Sequence, residues 1–304
     1  MIQIQVNQLT QIIDKIKNLA QNKSAGKTII AVSGGSATGK TSQVSEQINH
    51  ELVSAGLDSG ILSQDNFQFG REFVDQFDHN EPSSESEKTL FQRIKKYKWD
   101  IPENFELNNC LVALEQIKAN QAQISIPNFD VKAVTRLGVK SIEPNQVTIF
   151  EGLYSFYGEL EAFDFDLKIY VETPFYARLL RRYFRFVYQM KIPRPTKALE
   201  QICTTVLRAH QDYVETQRLD ADFVVEVPYN FKETISRIKL SPKPFVNLAE
   251  YKTLSELIFH ENGKILVLQM QGRFYFIVSF ENQIWENLEI SEDLKNSLVT
   301  ALEN

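Results

Sequence analysis

One stretch near the amino terminus restricts the fold more than any other. An apolar run, Thr28-Ile29-Ile30-Ala31-Val32, leads through Gly34-Gly35-Ser36-Ala37-Thr38-Gly39-Lys40-Thr41 into an amphipathic segment reaching Leu57. The eight central residues match GxxxxGK[ST], the phosphate-binding loop between a buried strand and a helix. A glycine-rich turn lets backbone N–H groups converge on anionic oxygens, with the positive end of a helix behind them. Lys40 is placed to reach β- and γ-phosphates and the Thr41 hydroxyl to ligate Mg²⁺, with Gly34 to Ser42 as the nucleotide-binding set. By chance the bare pattern arises in roughly one chain of this length in a hundred, given glycine at about 7%. Its flanking strand and helix make it more specific, and three of the chain's 12 glycines fall in this one loop.

The segments around the loop alternate between strand and helix. Val6, Leu9, Ile13, Ile16 and Leu19 recur at helical spacing and predict an amphipathic helix over 4–22. Gly60-Ile61-Leu62-Ser63 reads as a short strand ending at Gln64-Asp65. Residues 66–98 break the pattern, with Pro82-Ser83-Ser84 inside, and read as an insertion or lid. A helix is expected over 103–119, strands near 123–126 and 146–150, and another strand at Leu167-Lys168-Ile169-Tyr170-Val171. Thr173-Pro174 opens a helix, and a long helical stretch over 197–218 leads to a last strand, Phe223-Val224-Val225-Glu226-Val227. This order predicts an α/β fold of the P-loop NTPase type, three layers with a parallel sheet covered on both faces and its ligand at the carboxyl ends of the strands.

The expected domains are an N-terminal helix (1–26), a kinase-like P-loop domain (27–230, with the 66–98 insertion and a basic lid over 178–197) and a small α+β appendage (231–304). In the appendage, Ser241-Pro242-Lys243-Pro244 reads as a linker, 265–280 as a hairpin about Gln271-Gly272, and Ser291 as the N-cap of a closing helix.

Bulk properties narrow the function. A net charge of −6 over 304 residues argues against a sequence-independent nucleic-acid binder. No run approaches the ~20 apolar residues of a membrane-spanning helix, and the N-terminus lacks a signal-peptide pattern. Cys110 and Cys203, each in a helix among apolar neighbours, read as buried thiols of a cytoplasmic protein. The four scattered histidines have no metal-ligand spacing.

Three features fall at strand ends. Asp65 is a candidate general base, or an Asp that closes a turn on local backbone N–H groups. Glu151, directly after an apolar strand, can hold Mg²⁺ or its waters, or can stabilise a helix start. Arg178, Arg181, Arg182 and Arg185 recur at i, i+3, i+4 and i+7, followed by Lys191, Arg194 and Lys197, with no acid from 178 to 197. Such a set suits neutralisation of phosphate oxygens by a closing lid. A solvated basic face, or RNA or membrane contact through Tyr183, Phe184 and Phe186, stays open.

Four motifs carry a family resemblance: Gly34 to Ser42; Leu62-Ser63-Gln64-Asp65-Asn66-Phe67; Ile149-Phe150-Glu151-Gly152-Leu153-Tyr154-Ser155-Phe156; and Arg178-Leu179-Leu180-Arg181-Arg182 with Arg185. In this order, over roughly residues 27–228, the chain resembles the uridine kinase and phosphoribulokinase family of P-loop small-molecule kinases. Trp99-Asp100-Ile101-Pro102 and Ile126-Pro127-Asn128-Phe129-Asp130 with Arg136 are weaker echoes of that family's Asp-x-Pro segment and Pro-x-Tyr-Asp hairpin. The resemblance implies ATP and Mg²⁺ as cofactors, Asp65 as the base, Glu151 serving Mg²⁺, and Arg185 with Arg194 closing over the phosphates beside Arg181 and Lys40. It also implies Asp100, Arg136 and Gln201 at the acceptor site, with Phe129 there.

The departures concern the acceptor. Uridine kinases carry a tyrosine where Phe129 stands and a histidine where Val134 stands, the latter hydrogen-bonding the pyrimidine. A site built on such bonds discriminates strongly and an apolar one does not, so these residues argue against uridine as the cognate substrate. The expectation is therefore an ATP- and Mg²⁺-dependent kinase acting on a hydroxyl of a small metabolite. Its partner is that acceptor, with no nucleic acid and no membrane, and a homo-oligomer stays open. The rivals are a kinase for a sugar acid or a pantothenate-like alcohol, and a non-catalytic ATP-binding switch.

Overall fold

The computed structural model describes residues 6–23, 26–79, 84–97, 100–242, 256–261 and 264–303. Pro82-Ser83, Trp99 and Lys243-Pro244, singled out above, lie outside them. The chain forms two compact units, one of Met1–Glu172 with Arg208–Val227, the other of Thr173–Leu207 with Pro228–Asn304.

The strands are β1 (Thr28–Gly34), β2 (Ser59–Ser63), β3 (Ile124–Asp130), β4 (Thr135–Ile142), β5 (Val147–Gly152), β6 (Leu167–Glu172), β7 (Phe223–Glu226), β8 (Glu256–Glu261), β9 (Ile265–Met270), β10 (Arg273–Phe280) and β11 (Gln283–Ile290). In the first unit β2-β5-β1-β6-β7 make a five-stranded sheet, parallel throughout. Its strands read as unbroken apolar runs because both faces are covered. Successive residues serve opposite cores: Ile29, Ala31, Phe150 and Tyr170 pack on one face with Leu107, Leu114 and Ile117 of the helix Leu107–Lys118. Ile30, Val32, Ile149 and Ile169 pack on the other, against Leu9, Ile12 and Ile16 of the helix Val6–Asn22 and Ile48 and Leu52 of the helix Glu46–Ser54. Ile149 is fully buried in the second of these cores. Ile149→Ala is expected to cost about 2–5 kcal/mol of stability, the range for truncating a buried aliphatic side chain, read from the midpoint of denaturant unfolding. A loss under about 1 kcal/mol would show that the surroundings collapse into the space.

Two parts of this unit differ from the sequence expectation. Among the described residues the strand expected near 123–126 does not join the parallel sheet: β3 pairs with β4, in an antiparallel hairpin. The region over 66–98 contains two helices, Arg71–His79 and Glu85–Tyr97. Val74 and Ile94 from these helices share a small core with Ile101 and Ala209.

In the second unit β11-β10-β9-β8 form an antiparallel sheet, and the expected hairpin is the β9–β10 pair. The Ser291 hydroxyl accepts from Leu294 N at 3.2 Å, capping the helix Glu292–Glu303. Sequence alone missed the helix Phe231–Ile238 and the strands β8 and β11. It also placed residues 173–207 with the P-loop domain, whereas packing joins them to 228–304. The reason is a shared core: Leu179, Leu180, Tyr183 and Phe184 of the helix Phe175–Phe184 pack in one cluster with Phe276, Val278, Leu294 and Leu298.

Candidate active site

The carboxyl ends of β1, β2 and β5 bring the loop, Ser63 and Glu151 together. Glycine is needed at two loop positions. A Cβ on Gly34 would lie 2.6 Å from the backbone oxygen of Val171, and Gly39 has φ +93°. Ala37 also takes a left-handed conformation, φ +64°. Alternation of right- and left-handed residues turns successive N–H groups toward one point and makes an anion-binding concavity. The Thr38 hydroxyl closes the turn by donating to Gly35 O at 2.9 Å. Lys40 and Thr41 then begin a π-helical turn, Lys40–Ser45, that runs into the helix Glu46–Ser54.

Parallel register sets Ser63 beside Glu151, and the Ser63 hydroxyl donates to Glu151 Oε1 at 2.7 Å. The Thr41 hydroxyl donates to Glu151 Oε2 at 2.9 Å. Glu151 is 3% exposed, so a buried carboxylate and the loop hydroxyl present hard oxygen donors side by side. That donor set suits Mg²⁺, which takes one or two protein oxygens and leaves its other positions to phosphate and water. The turn after β5 is fixed by two buried glutamines. Gln64 exchanges both hydrogen bonds with the backbone of Tyr154, while Gln217 donates to Leu153 O at 2.7 Å and accepts from Phe156 N at 3.2 Å. Each supplies one donor and one acceptor, as a neighbouring strand would.

Asp65 follows β2 in a single turn, Gln64–Phe67. Its N–H donates to Ser63 Oγ at 3.3 Å, and Oδ1 accepts from Gln68 Nε2 at 3.0 Å. Burial raises the Asp65 carboxyl above the usual range; Lys40 pulls it down, Glu151 raises it, the Gln68 hydrogen bond lowers it, and Asp100 raises it further. The structure thus gathers Lys40, Thr41, Asp65, Asp100 and Glu151 in one electrostatic neighbourhood. Asp100 holds φ +61°, and its carbonyl accepts from the buried Tyr154 hydroxyl.

The hairpin β3–β4 supplies Phe129, 8% exposed, and Arg136. Arg136 is not presented alone: Nη1 and Nη2 donate to Glu106 Oε1 and Oε2 at 3.1 and 2.9 Å, and Nη2 donates to Gln68 O at 2.8 Å. Val134 is held at φ +54°, a costly conformation for a β-branched residue, and its carbonyl accepts from Arg71 N at 3.0 Å. Ser63, Gln64, Gln68, Glu106 and Gln217 escaped the sequence reading in these roles. Ser63 and Gln64 stood inside a quoted motif, and Gln68 lies just past it, three residues from Asp65; Glu106 and Gln217 act through contacts distant in sequence.

The basic helix belongs to the second unit. Arg178 and Arg182 are 9% and 6% exposed, so the four arginines do not present one face, and the alternative of a solvated basic face does not hold for these two. The pair at i and i+4 turns inward instead, with Arg182 over the Phe186 ring at 4.9 Å. Arg181 donates to Pro228 O at 3.1 Å and lies over Tyr229. Arg185 and Arg194 are exposed, and Gln201 is half-buried in the helix Pro195–Gln201.

The sequence profile of the phosphoribulokinase / uridine kinase family matches residues 29–231. The uridine kinase of Leuconostoc citreum is 30% identical over 199 residues, covering 65% of this chain and 86% of that protein. The uridine kinase of Staphylococcus carnosus is 28% identical over 199 residues, with the same coverage. The solved structure of phosphoribulokinase from Rhodobacter spheroides superposes with a TM-score of 0.52 at 14% identity, covering 92% of this chain and 94% of that one, a likeness of fold. Among the described residues no helix is long and apolar enough to cross a membrane.

Proposed function

The chain belongs to the phosphoribulokinase / uridine kinase family, and on that premise we propose that it moves the γ-phosphate of MgATP to a hydroxyl of a small metabolite other than uridine. That the chain is a kinase with an alcohol acceptor follows from the family itself, as does its use of ATP. The observation that carries the finer reading is Asp65, a carboxyl with a raised pKa set against Lys40 and Glu151 at the ends of β2 and β5. A nucleotide switch needs no such base.

MgATP, when bound, supplies the electrophilic phosphorus and the charge that must be neutralised. Lys40 and the backbone N–H groups of the loop would hold the phosphate oxygens, and Thr41 Oγ1 with the Glu151 carboxylate would hold the cation. Asp65 takes the proton of the acceptor hydroxyl at its carboxylate, which Gln68 orients through Oδ1. Arg136, fixed by Glu106, positions Gln68 by its bond to the Gln68 carbonyl. The family resemblance assigns Arg185, Arg194 and Arg181 to the phosphates, and Asp100, Phe129 and Gln201 to the acceptor. Phosphoryl transfer needs little covalent help, so positioning and charge neutralisation dominate. Phe129 and Val134 bring no hydrogen-bonding side chain to the hairpin, which supports an acceptor other than a pyrimidine nucleoside. The cytoplasm is the compartment this chemistry and the two buried free thiols favour.

The test is ADP release from MgATP against a panel of nucleosides, sugar acids and pantothenate-like alcohols. Stimulation by one acceptor class names the substrate. ATP binding with no stimulation across a broad hydroxyl panel would favour the switch, and uridine as the best acceptor would overturn the reading of Phe129 and Val134. Lys40→Ala is expected to weaken ATP binding and transfer together; a normal ATP affinity in that variant, measured by calorimetry, would count against the loop assignment.

A further inference from the structure

Two irregularities of the second unit meet at one side chain. In the β10–β11 pair, Val278 lies opposite Glu286 while Ser279 lies opposite Ile284, so Trp285 is an extra residue and β11 carries a bulge. Residues opposite one another share a face of the sheet, and neighbours along a strand take opposite faces. Ile284 accordingly packs on one face with Leu266, Leu268 and Ile277. Glu286 goes with Val278 to the other face, where Tyr183 and Phe184 of the helix Phe175–Phe184 pack. Without the extra residue Glu286 would share the face of Ile284, away from that helix.

The helix side is irregular too. The helix Phe175–Phe184 passes into a π-helical turn, Arg185–Gln189, closed by Met190 N donating to Arg185 O at 2.9 Å. Tyr188, within this turn, donates its hydroxyl to Glu286 Oε2 at 2.5 Å. Glu286 Oε1 accepts from Asn287 N at 3.0 Å, and the residue is 3% exposed. Burial, and then Glu286, raise the phenols of both Tyr183 and Tyr188 above their usual pKa, so Tyr188 stays a donor at physiological pH. Withdrawing a carboxylate from water is costly, and each irregularity is of a kind over-represented at functional sites. What the contact holds in place is the turn that begins with exposed Arg185.

We infer that Glu286 is a positioning residue for phosphoryl transfer: through Tyr188 it fixes the turn that carries Arg185, and with it the ability of that guanidinium to take up a γ-phosphate oxygen. The inference rests on the assignment of Arg185 to the phosphates. It gives the C-terminal sheet a part in the reaction.

The probes are MgADP and the magnesium complex of the non-hydrolysable imido analogue of ATP, titrated calorimetrically into the full-length protein, so no acceptor is needed. Their affinity ratio isolates the γ-phosphate. Arg185→Ala is expected to cut the ratio roughly tenfold, the size of one hydrogen bond between charged groups. Tyr188→Phe, which deletes only the hydroxyl, should cut it by most of the same factor, and Glu286→Gln, which keeps an acceptor oxygen, by less. Added to Arg185→Ala, Tyr188→Phe should change the ratio no further. Val278→Ala, which opens a cavity in the same core opposite Glu286, should lower the thermal unfolding midpoint and leave the ratio intact. Without any nucleotide, the Met190 amide should exchange with solvent faster in Tyr188→Phe than in the parent. An unchanged ratio in Tyr188→Phe, a cut that multiplies with that of Arg185→Ala, a Val278→Ala protein that reproduces the cut, or a Met190 amide exchanging at the parent's rate would each overturn the inference. Arg185→Ala with the parent's ratio would overturn the phosphate assignment and the inference together, so the two failures are told apart.

Discussion

Asp65→Asn is expected to lower turnover by about 10²- to 10⁴-fold, the range for a lost general base, with ATP affinity unchanged. The amide keeps the shape and can still meet Gln68, but it takes no proton from an attacking hydroxyl. The same residue sets the pH dependence. Its folded pKa is raised, first by burial and then by Glu151 and Asp100 against the pull of Lys40. Activity should therefore fall with decreasing pH through a value above the ordinary aspartate range, and that limb should vanish in the variant. Stability moves the other way. A carboxyl whose folded pKa exceeds its unfolded value carries no penalty below the unfolded value and a full penalty above the folded one. Asn removes that penalty, so the inactive protein should unfold at an equal or higher temperature near neutral pH. Unchanged turnover would take Asp65 out of the mechanism; a less stable variant would contradict the electrostatic account.

Glu151→Gln is expected to raise the Mg²⁺ concentration needed for half-maximal turnover by about 10- to 100-fold, the usual cost of disturbing a residue that orients a metal site. Gln keeps the volume and one acceptor oxygen for Thr41 or Ser63, so the fold should survive. What is lost is the negative charge facing the cation. Because Glu151 raises the Asp65 pKa, the acid limb should also move to lower pH. A variant with altered Mg²⁺ dependence and an unmoved limb would show that the two carboxylates are not coupled. An unaltered Mg²⁺ dependence would remove Glu151 from the cation site.

The parts of this site that are legible in sequence are those encoded contiguously. Gly34 to Thr41 and Val147 to Gly152 each hold strand, turn and functional side chain within one short segment, so local pattern suffices. Asp65 is visible for the same reason, one turn after β2. What is not legible depends on partners far along the chain. The Arg136–Glu106 pair and the Gln217 clamp join positions 30 and 64 residues apart, and no local pattern announces them. The inward turn of Arg178 and Arg182 is likewise set by packing of the helix, since spacing alone puts them on the same face as Arg181 and Arg185. Strand β11 is a different kind of miss. Ile284, Glu286 and Ile290 are buried along it, but buried Glu286 breaks the apolar alternation that would have marked the strand. Glu286 Oε2 accepts from the Tyr188 hydroxyl at 2.5 Å, a contact that becomes visible only once the second unit is assembled.

The grouping of residues 173–207 with 228–304 also sets an order of events on the ribosome. The helix carrying Arg178 to Arg182 is translated well before Phe276, Val278 and Leu298, which share its apolar core. At about 5–20 residues per second the wait is roughly 5–20 s. Through that interval Leu179, Leu180, Tyr183 and Phe184 have only part of their core to enter, Leu199, Ile202 and Phe231 among it, and apolar surface left exposed makes a nascent chain prone to aggregate. The arginines assigned to phosphate binding gain their full support only once Leu294 and Leu298 join that core, so a ribosome stalled short of the helix Glu292–Glu303 would hold a chain with its nucleotide loop formed and its basic helix only partly supported.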